Sequence, residues 1–194
     1  NTETLFALGL GDKVVGVDAY SDYPEAAQSI DKVGDFNGPN AEAIVALEPD
    51  LVLAGNKLQQ EAIDQLKALG LTVVATEASA YDEVFDSIAL IGAVTGADKQ
   101  AAELIQSMQG KQAQIEKAVQ GKDAPAAYYV LSYGEAGNWT SGPGSFLNAM
   151  IEKANGVCVT KDGIDGETAT WMQYSAEAIV DQNPQVLIVS SMAG

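Results

Sequence analysis

Apolar positions along the chain alternate between a helical period and a strand period. Leu5, Leu8 and their neighbours predict a first helix, stopped at Gly9 and Gly11, and Val14, Val15 and Val17 predict a buried strand after it. Residues 18–39 form a loop rich in Asp, Tyr, Pro and Gly. Asn40 then caps a helix that runs through Leu47 and ends at Pro49. A strand is predicted over 51–54, a helix carrying Ala62, Ile63, Leu66 and Leu69 up to Gly70, and a strand over 72–75. This β-α-β-α order is that of an open, mostly parallel α/β sheet. The middle breaks the rhythm. Residues 82–94 read as a helix with Val84, Phe85, Ile88 and Ile91 on one face, and a second helix is predicted over 97–119. Its apolar stripe (Ala101, Leu104, Ile105, Met108, Ile115, Val119) is narrow, as suits a strut of about 35 Å between lobes. The α/β order resumes with a strand over 126–131, a helix capped by Ser145 and closed near Gly156, a helix capped by Ser175, and a strand over 186–189. The expected organisation is an N-terminal lobe (1–95), a connecting helix (96–121) and a C-terminal lobe (122–194).

One passage is written twice. Residues 40–54 read NAEAIVALEPDLVLA and residues 175–189 read SAEAIVDQNPQVLIV. Glu42 and Glu177 hold the same place in the two copies, 135 positions apart. A period of 20–50 residues would mean a solenoid. A single widely spaced duplicate points instead to two similar lobes, each presenting one equivalent glutamate. For either glutamate alone, a favourable place in a helix's first turn is explanation enough; the pairing asks for more.

Composition narrows the function. The 194 residues, 47% hydrophobic, are enough for two small cores. No apolar run approaches the roughly 20 residues of a membrane helix. The first residue already stands in a helix-like segment, NTETLFALG, so an upstream strand and any targeting segment are expected outside this sequence. The chain stops straight after a strand, so the second lobe is expected to be short of its closing elements. The net charge is −17, and the ten cations are all lysine, with no arginine and no histidine. Nucleic acid is excluded as a partner, since phosphate contacts need clustered cations. The missing histidine removes Ser-His-Asp and Cys-His catalysis, HExxH zinc sites and histidine-ligated haem. The single cysteine, Cys158, in the β-like stretch GVCVT, is read as a buried inert thiol.

Aromatic residues gather in polar loops. Tyr20 lies in AYSDYP, Phe36 in GDFNGP, Tyr133 and Trp139 in SYGEAGNWTSG, and Trp171 in TATWMQYS. For any one of them loop packing is the plain reading. Together they offer flat apolar surface from both halves of the chain, as a large planar ligand requires. Two weaker patterns carry less. KDGIDGE, with Asp162, Asp165 and Glu167, fails the spacing of a calcium loop. SGPGS at 141–145 leads into a helix and reads first as a turn and cap.

The ordered set NTETLFALG, VVGVDAYSDYP, GDFNGPNAEAIVALEPDLVLAG, YVLSYGEAGNWTSGPGSFLNAMIEKANG and TWMQYSAEAIVDQNPQVLIVS resembles the helical-backbone class of periplasmic substrate-binding proteins for ABC importers. That class serves cobalamin, ferric siderophores and haem, and the chain looks most like its cobalamin-binding receptors. The resemblance implies two Rossmann-like lobes joined by one long helix and a ligand cleft between them; the uninterrupted 97–119 helix between two α/β series predicts modest lobe rocking about a stiff connector. It implies that Glu42 and Glu177 meet arginines of the permease, and that Tyr20, Phe36, Tyr133, Trp139 and Trp171 contact the ligand. One aromatic expected after the 51–54 strand is absent; the chain has Gly55-Asn56 there. Anionic siderophores and haem propionates are usually held by arginine forks, which this chain lacks. A corrinoid, fringed with neutral amides, fits better. The reading is therefore an extracytoplasmic, non-catalytic receptor that delivers a corrinoid to an ABC permease. It has no catalytic residues, no metal ligands and no cofactor beyond the transported corrinoid, and meets the membrane only through the permease or an upstream lipid anchor. A haem or ferric-siderophore receptor of the same class is the alternative. A nitrogenase-like enzyme, which needs several cysteines, and a surface sensor or adhesin rank below both.

Overall fold

The computed structural model describes residues 1–35, 37–55, 60–76, 78, 80–135, 137–164 and 169–190. Contacts divide the chain into two units, Asn1–Ala78 with Glu83–Ser107, and Ser79–Asp82 with Met108–Gly194. The boundary between them falls inside the longest helix, so the fold is α/β with two units joined by one long helix.

The first unit opens with helix α1 (Thr2–Ala7), then 3₁₀ turns at Gly11–Lys13 and Glu25–Ser29. A short antiparallel hairpin follows, β1 (Gly34–Asp35) with β2 (Gly38–Pro39). Next come helix α2 (Ala41–Ala46), strand β3 (Val52–Ala54), helix α3 (Gln60–Ala68) and strand β4 (Val73–Ala75). β3 and β4 are parallel, with Val52 opposite Val73 and Ala54 opposite Ala75. Ile44 of α2, Ile63 and Leu66 of α3, and Ala54 and Val73 of the strands form one buried cluster, with Val33, Ala41, Val52 and Leu71 at its margin. This is the apolar stripe of each helix closing on the strands, as the spacing predicts.

Helix α4 (Glu83–Thr95) packs close to helix α5 (Asp98–Val119). A Cβ on Gly92 would stand 2.5 Å from the Cβ of Ala101, so only glycine permits this approach. Ala101 is the one buried residue of α5, whose 22 residues extend about 33 Å.

The second unit is built on β5 (Ala126–Val130), the central strand of a parallel sheet. β7 (Val157–Cys158) and β9 (Val186–Val189) flank it. Helix α6 (Phe146–Lys153) covers the sheet through Ile151, which is buried with Ala127 and Cys158. A separate antiparallel ribbon pairs β6 (Trp139–Ser141) with β8 (Trp171–Gln173). Helix α7 (Ala176–Gln182) leads through Asn183, in left-handed conformation at φ 47°, into β9.

Two expectations need correction. The apolar run at 14–17 is not a strand. The Val14 N–H closes the preceding turn onto the Gly11 carbonyl, which leaves Val17 alone to make a parallel bridge with Lys32, and Val15 is 46% exposed. Trp139 and Trp171 stand in strands, not loops. The loops of their motifs close by antiparallel pairing across about thirty residues, which no local pattern announces.

Candidate functional site

The duplicated glutamates stand in matching settings. In the first copy Asn40 Oδ1 accepts the Ala43 N–H at 3.1 Å; in the second Ser175 Oγ accepts the Ala178 N–H at 3.1 Å. Glu42 and Glu177 each come two residues after their cap, in the first turn of α2 and α7, and both are exposed. Each carboxylate therefore sits at the positive end of its own helix, free to meet a partner in solvent.

The β6–β8 ribbon gathers the two tryptophans. Trp139 pairs with Gln173, and Ser141 with Trp171. Side chains alternate faces along a strand, so Trp139, Trp171 and Gln173 share one face while Thr140 and Met172 take the other. Thr140 and Met172 are buried at 0% and 3% exposure; on the tryptophan face Trp171 is 44% exposed, while Ser141 opposite it is buried. The Gln173 amide and the Trp139 indole N–H both lie over Gly137. Gly142 lets the ribbon close. Its N–H donates to the Thr170 carbonyl at 2.8 Å, and a Cβ there would stand 1.8 Å from the Ala169 oxygen.

At the Ser141 end of the ribbon is a buried polar network. Ser141 Oγ donates to Asn148 Oδ1 at 2.6 Å, and the Cys158 thiol donates to the same oxygen at 3.1 Å. Thr160 Oγ1 donates to the Ser141 carbonyl at 2.5 Å. These bonds tie the tryptophan-bearing strand to α6 and β7. Cys158 is thus buried and hydrogen-bonded inside the core. Ser145 Oγ accepts the Asn148 N–H at 3.1 Å, so SGPGS is a turn and helix cap. The Tyr128 hydroxyl, buried beside Thr140, forms no hydrogen bond of good geometry. Burial pushes its pKa up; the Thr140 hydroxyl pulls the other way, and Tyr174 and Cys158 add to the rise.

The remaining aromatic candidates are dispersed. Tyr20, 65% exposed, sits in a turn where its own N–H and the Ser21 hydroxyl donate to the Asp18 carboxylate, and the neighbouring Ala19 N–H donates to the Gly34 carbonyl of the β1–β2 hairpin. Phe36, and also Asp165 and Glu167, lie outside the described residues. Tyr133 is 69% exposed, in the loop that returns to Trp139 through the Ser132–Trp139 bridge. The structure thus joins Trp139, Trp171 and Tyr133 in one unit and leaves Tyr20 in the other.

Sequence reasoning missed two features. Gln173 shares the tryptophan face; the alternation in WMQ was the available signal. A cavity of about 260 Å³ in the first unit opens at the carboxyl ends of β3 and β4, lined by Asn1, Thr4, Thr76 and Ser87 against Val84, Ile88 and Ile91. Nothing in the local sequence marks it, because its walls come from four separate segments. Among the described residues, no helix is long and apolar enough to cross a membrane.

A family model for periplasmic binding proteins matches residues 1–194, and the chain belongs to that family. Over 196 residues it is 36% identical to YvrC, an ABC transporter substrate-binding lipoprotein of Bacillus subtilis, covering 98% of this chain and 60% of the relative. It is 34% identical over 197 residues to the vitamin B12-binding protein of Salmonella typhimurium, covering 100% of this chain and 70% of that protein. Among solved structures, the periplasmic vitamin B12 binding protein BtuF of Vibrio cholerae matches with a TM-score of 0.79 at 26% identity, over 98% of this chain and 72% of that one. A possible iron-binding periplasmic solute-binding protein from Staphylococcus epidermidis matches with a TM-score of 0.81 at 30% identity, over 97% and 73%. The chain therefore spans between three fifths and three quarters of the length of these relatives.

Proposed function

We propose that this chain serves in an extracytoplasmic receptor that captures a corrinoid, cobalamin or cobinamide, and delivers it to an ABC importer. The observation that carries the reading is the similarity along the whole chain to a vitamin B12-binding protein. The site chemistry supports it. Tyr20, Phe36, Tyr133, Trp139 and Trp171 supply aromatic contacts to the ring system, without catalysis. Exposed, equivalently capped Glu42 and Glu177 dock the receptor on cationic permease residues, chiefly by steering and orientation. A sequence without arginine or histidine offers neither a fork for carboxylates nor imidazole for cobalt, so the corrinoid keeps its own axial ligands.

The second reading is an iron ligand, haem or a ferric siderophore, favoured by the similarity to the Staphylococcus epidermidis protein. Absorbance spectra of the full-length protein, dialysed separately against cyanocobalamin, cobinamide and haemin, separate the two. Retention of corrinoid and not haemin is expected; retention of haemin alone would transfer the protein to the second reading.

A further inference from the structure

We propose that the segment between β4 and α4 is a strap, clamped by Tyr81 onto α6, that limits rocking of the two units about α5. Such a strap acts whatever ligand the protein carries, and so goes beyond the receptor reading.

The chain belongs to the first unit as far as Ala78, to the second over Ser79–Asp82, and to the first again from Glu83. The Tyr81 ring stacks on that of Phe146, with centroids 5.5 Å apart and planes inclined by 30°. Lys153 Nζ stands 4.9 Å from the centre of the Tyr81 ring and 3.8 Å from Asp82 Oδ1. These contacts lie inside the second unit. The Asp82 side chain is 82% exposed, so its ion pair with Lys153 adds little. Tyr81 and Phe146 are half-buried, and their stack, with the cation over it, is the main hold.

Helix α6 is a fixed post for such a strap. Phe146 and Lys153 are its first and last residues, nearly two full turns apart, so both lie on one face. Asn148 and Ile151 lie on the opposite side and are buried. There Asn148 Oδ1 accepts the Ser141 hydroxyl at 2.6 Å, and Ile151 packs with Ala127 and Cys158. The helix is thus pinned to its own sheet while its outer face holds Tyr81. A loop that merely shields a helix would return to the same unit. Here the chain on both sides of the strap belongs to the other unit, with β4 ending at Ala75 and α4 starting at Glu83. Asp82 alone separates Tyr81 from α4, so the slack on that side is a few ångströms. A larger displacement of one unit against the other must pull Tyr81 off Phe146, and the stack resists it.

The test uses the full-length protein without ligand, as wild type, Tyr81→Ala, Tyr81→Phe and Lys153→Met. Amide hydrogen exchange at Tyr81 and Asp82 reads the strap. The units are read by the width of the distance distribution between spin labels on Asp64→Cys and Asp181→Cys, an exposed site in each. Cys158 is buried and takes no label. Tyr81→Ala should speed exchange at the strap about 3- to 10-fold and broaden the distribution, with exchange in β5 unchanged. Tyr81→Phe keeps the ring and should match wild type in both readings. Lys153→Met should fall between, at about 2- to 5-fold. Faster exchange in Tyr81→Ala without broadening would make the segment a simple cover for α6 and overturn the strap. Equal loosening by Tyr81→Phe would assign the hold to the hydroxyl and overturn the stacked-ring clamp. If Tyr81→Ala also loses protection in β5, Lys153→Met decides: broadening with β5 protected supports the strap, and no broadening overturns it.

Discussion

Trp139 and Trp171 share a ribbon face, and the consequences of removing them differ from those of removing any core residue. Neither is among the buried core side chains, so alanine at either should leave the fold intact and cost about 1–3 kcal/mol of corrinoid binding in the full-length protein, read by calorimetry. Because the two lie diagonally across one strand pair, the double variant should lose a different amount from the sum of the singles. Tyr128 carries a prediction of another kind. Burial raises its pKa above the ordinary tyrosine value of 10.0. The unfolded chain therefore releases this proton first as pH climbs, and the unfolded state gains. Its contribution to stability should be constant below about pH 10 and fall as pH rises further. Urea denaturation of wild type against Tyr128→Phe isolates the effect: the difference should grow in the variant's favour above pH 10. Near neutrality the variant should be equal or slightly more stable, because it removes a buried hydroxyl that lacks a well-formed hydrogen bond. A gap that stays constant with pH would contradict the assignment.

At the scale of elements, what the sequence made legible was local. Asn40, Ser145 and Ser175 each announced a helix, and each side chain accepts the expected N–H three residues on. The β3 and β4 strands, the α4–α5 pair and the β5 and β9 strands follow from apolar periodicity and punctuation alone. The ribbon was illegible because its strands are three residues long, carry Thr, Ser and Gln beside tryptophan, and find their partners some thirty positions away. Residues 14–17 erred in the opposite direction: the valines favour a strand, but a turn claims the first N–H. The candidate site divided in the same way. Aromatic type was visible in the sequence, and the alternation in WMQ signalled Gln173 on the face of Trp171; that Trp139 and Trp171 point from one face was not visible, because it depends on the pairing of two distant strands. Ribbon closure gives the element-level test. Gly142→Ala would force the Ala169 carbonyl and the Met172 side chain apart, and should destabilise the protein by on the order of 1–3 kcal/mol in urea denaturation. A near-neutral result would mean that the ribbon has slack which this geometry does not show.

For the whole molecule, the balance of charge matters more than any single contact. A chain at −17 repels other acidic surfaces and is drawn to cationic ones, over a range that salt shortens. The proposed docking through Glu42 and Glu177 on a cationic permease face would use that field, and the matched settings of the two glutamates are its structural basis. Capture and delivery are separable in the proposed function: the aromatic side chains would hold the ligand, while the two helix-start carboxylates would present it. The measurement that tests this most directly is corrinoid uptake into proteoliposomes carrying the cognate permease, driven by added full-length receptor. Wild type should support uptake. The double variant Glu42→Lys with Glu177→Lys should support essentially none while binding corrinoid with unchanged affinity, and each single change should fall between. Normal uptake by the double variant, or no corrinoid uptake with wild type, would contradict the account.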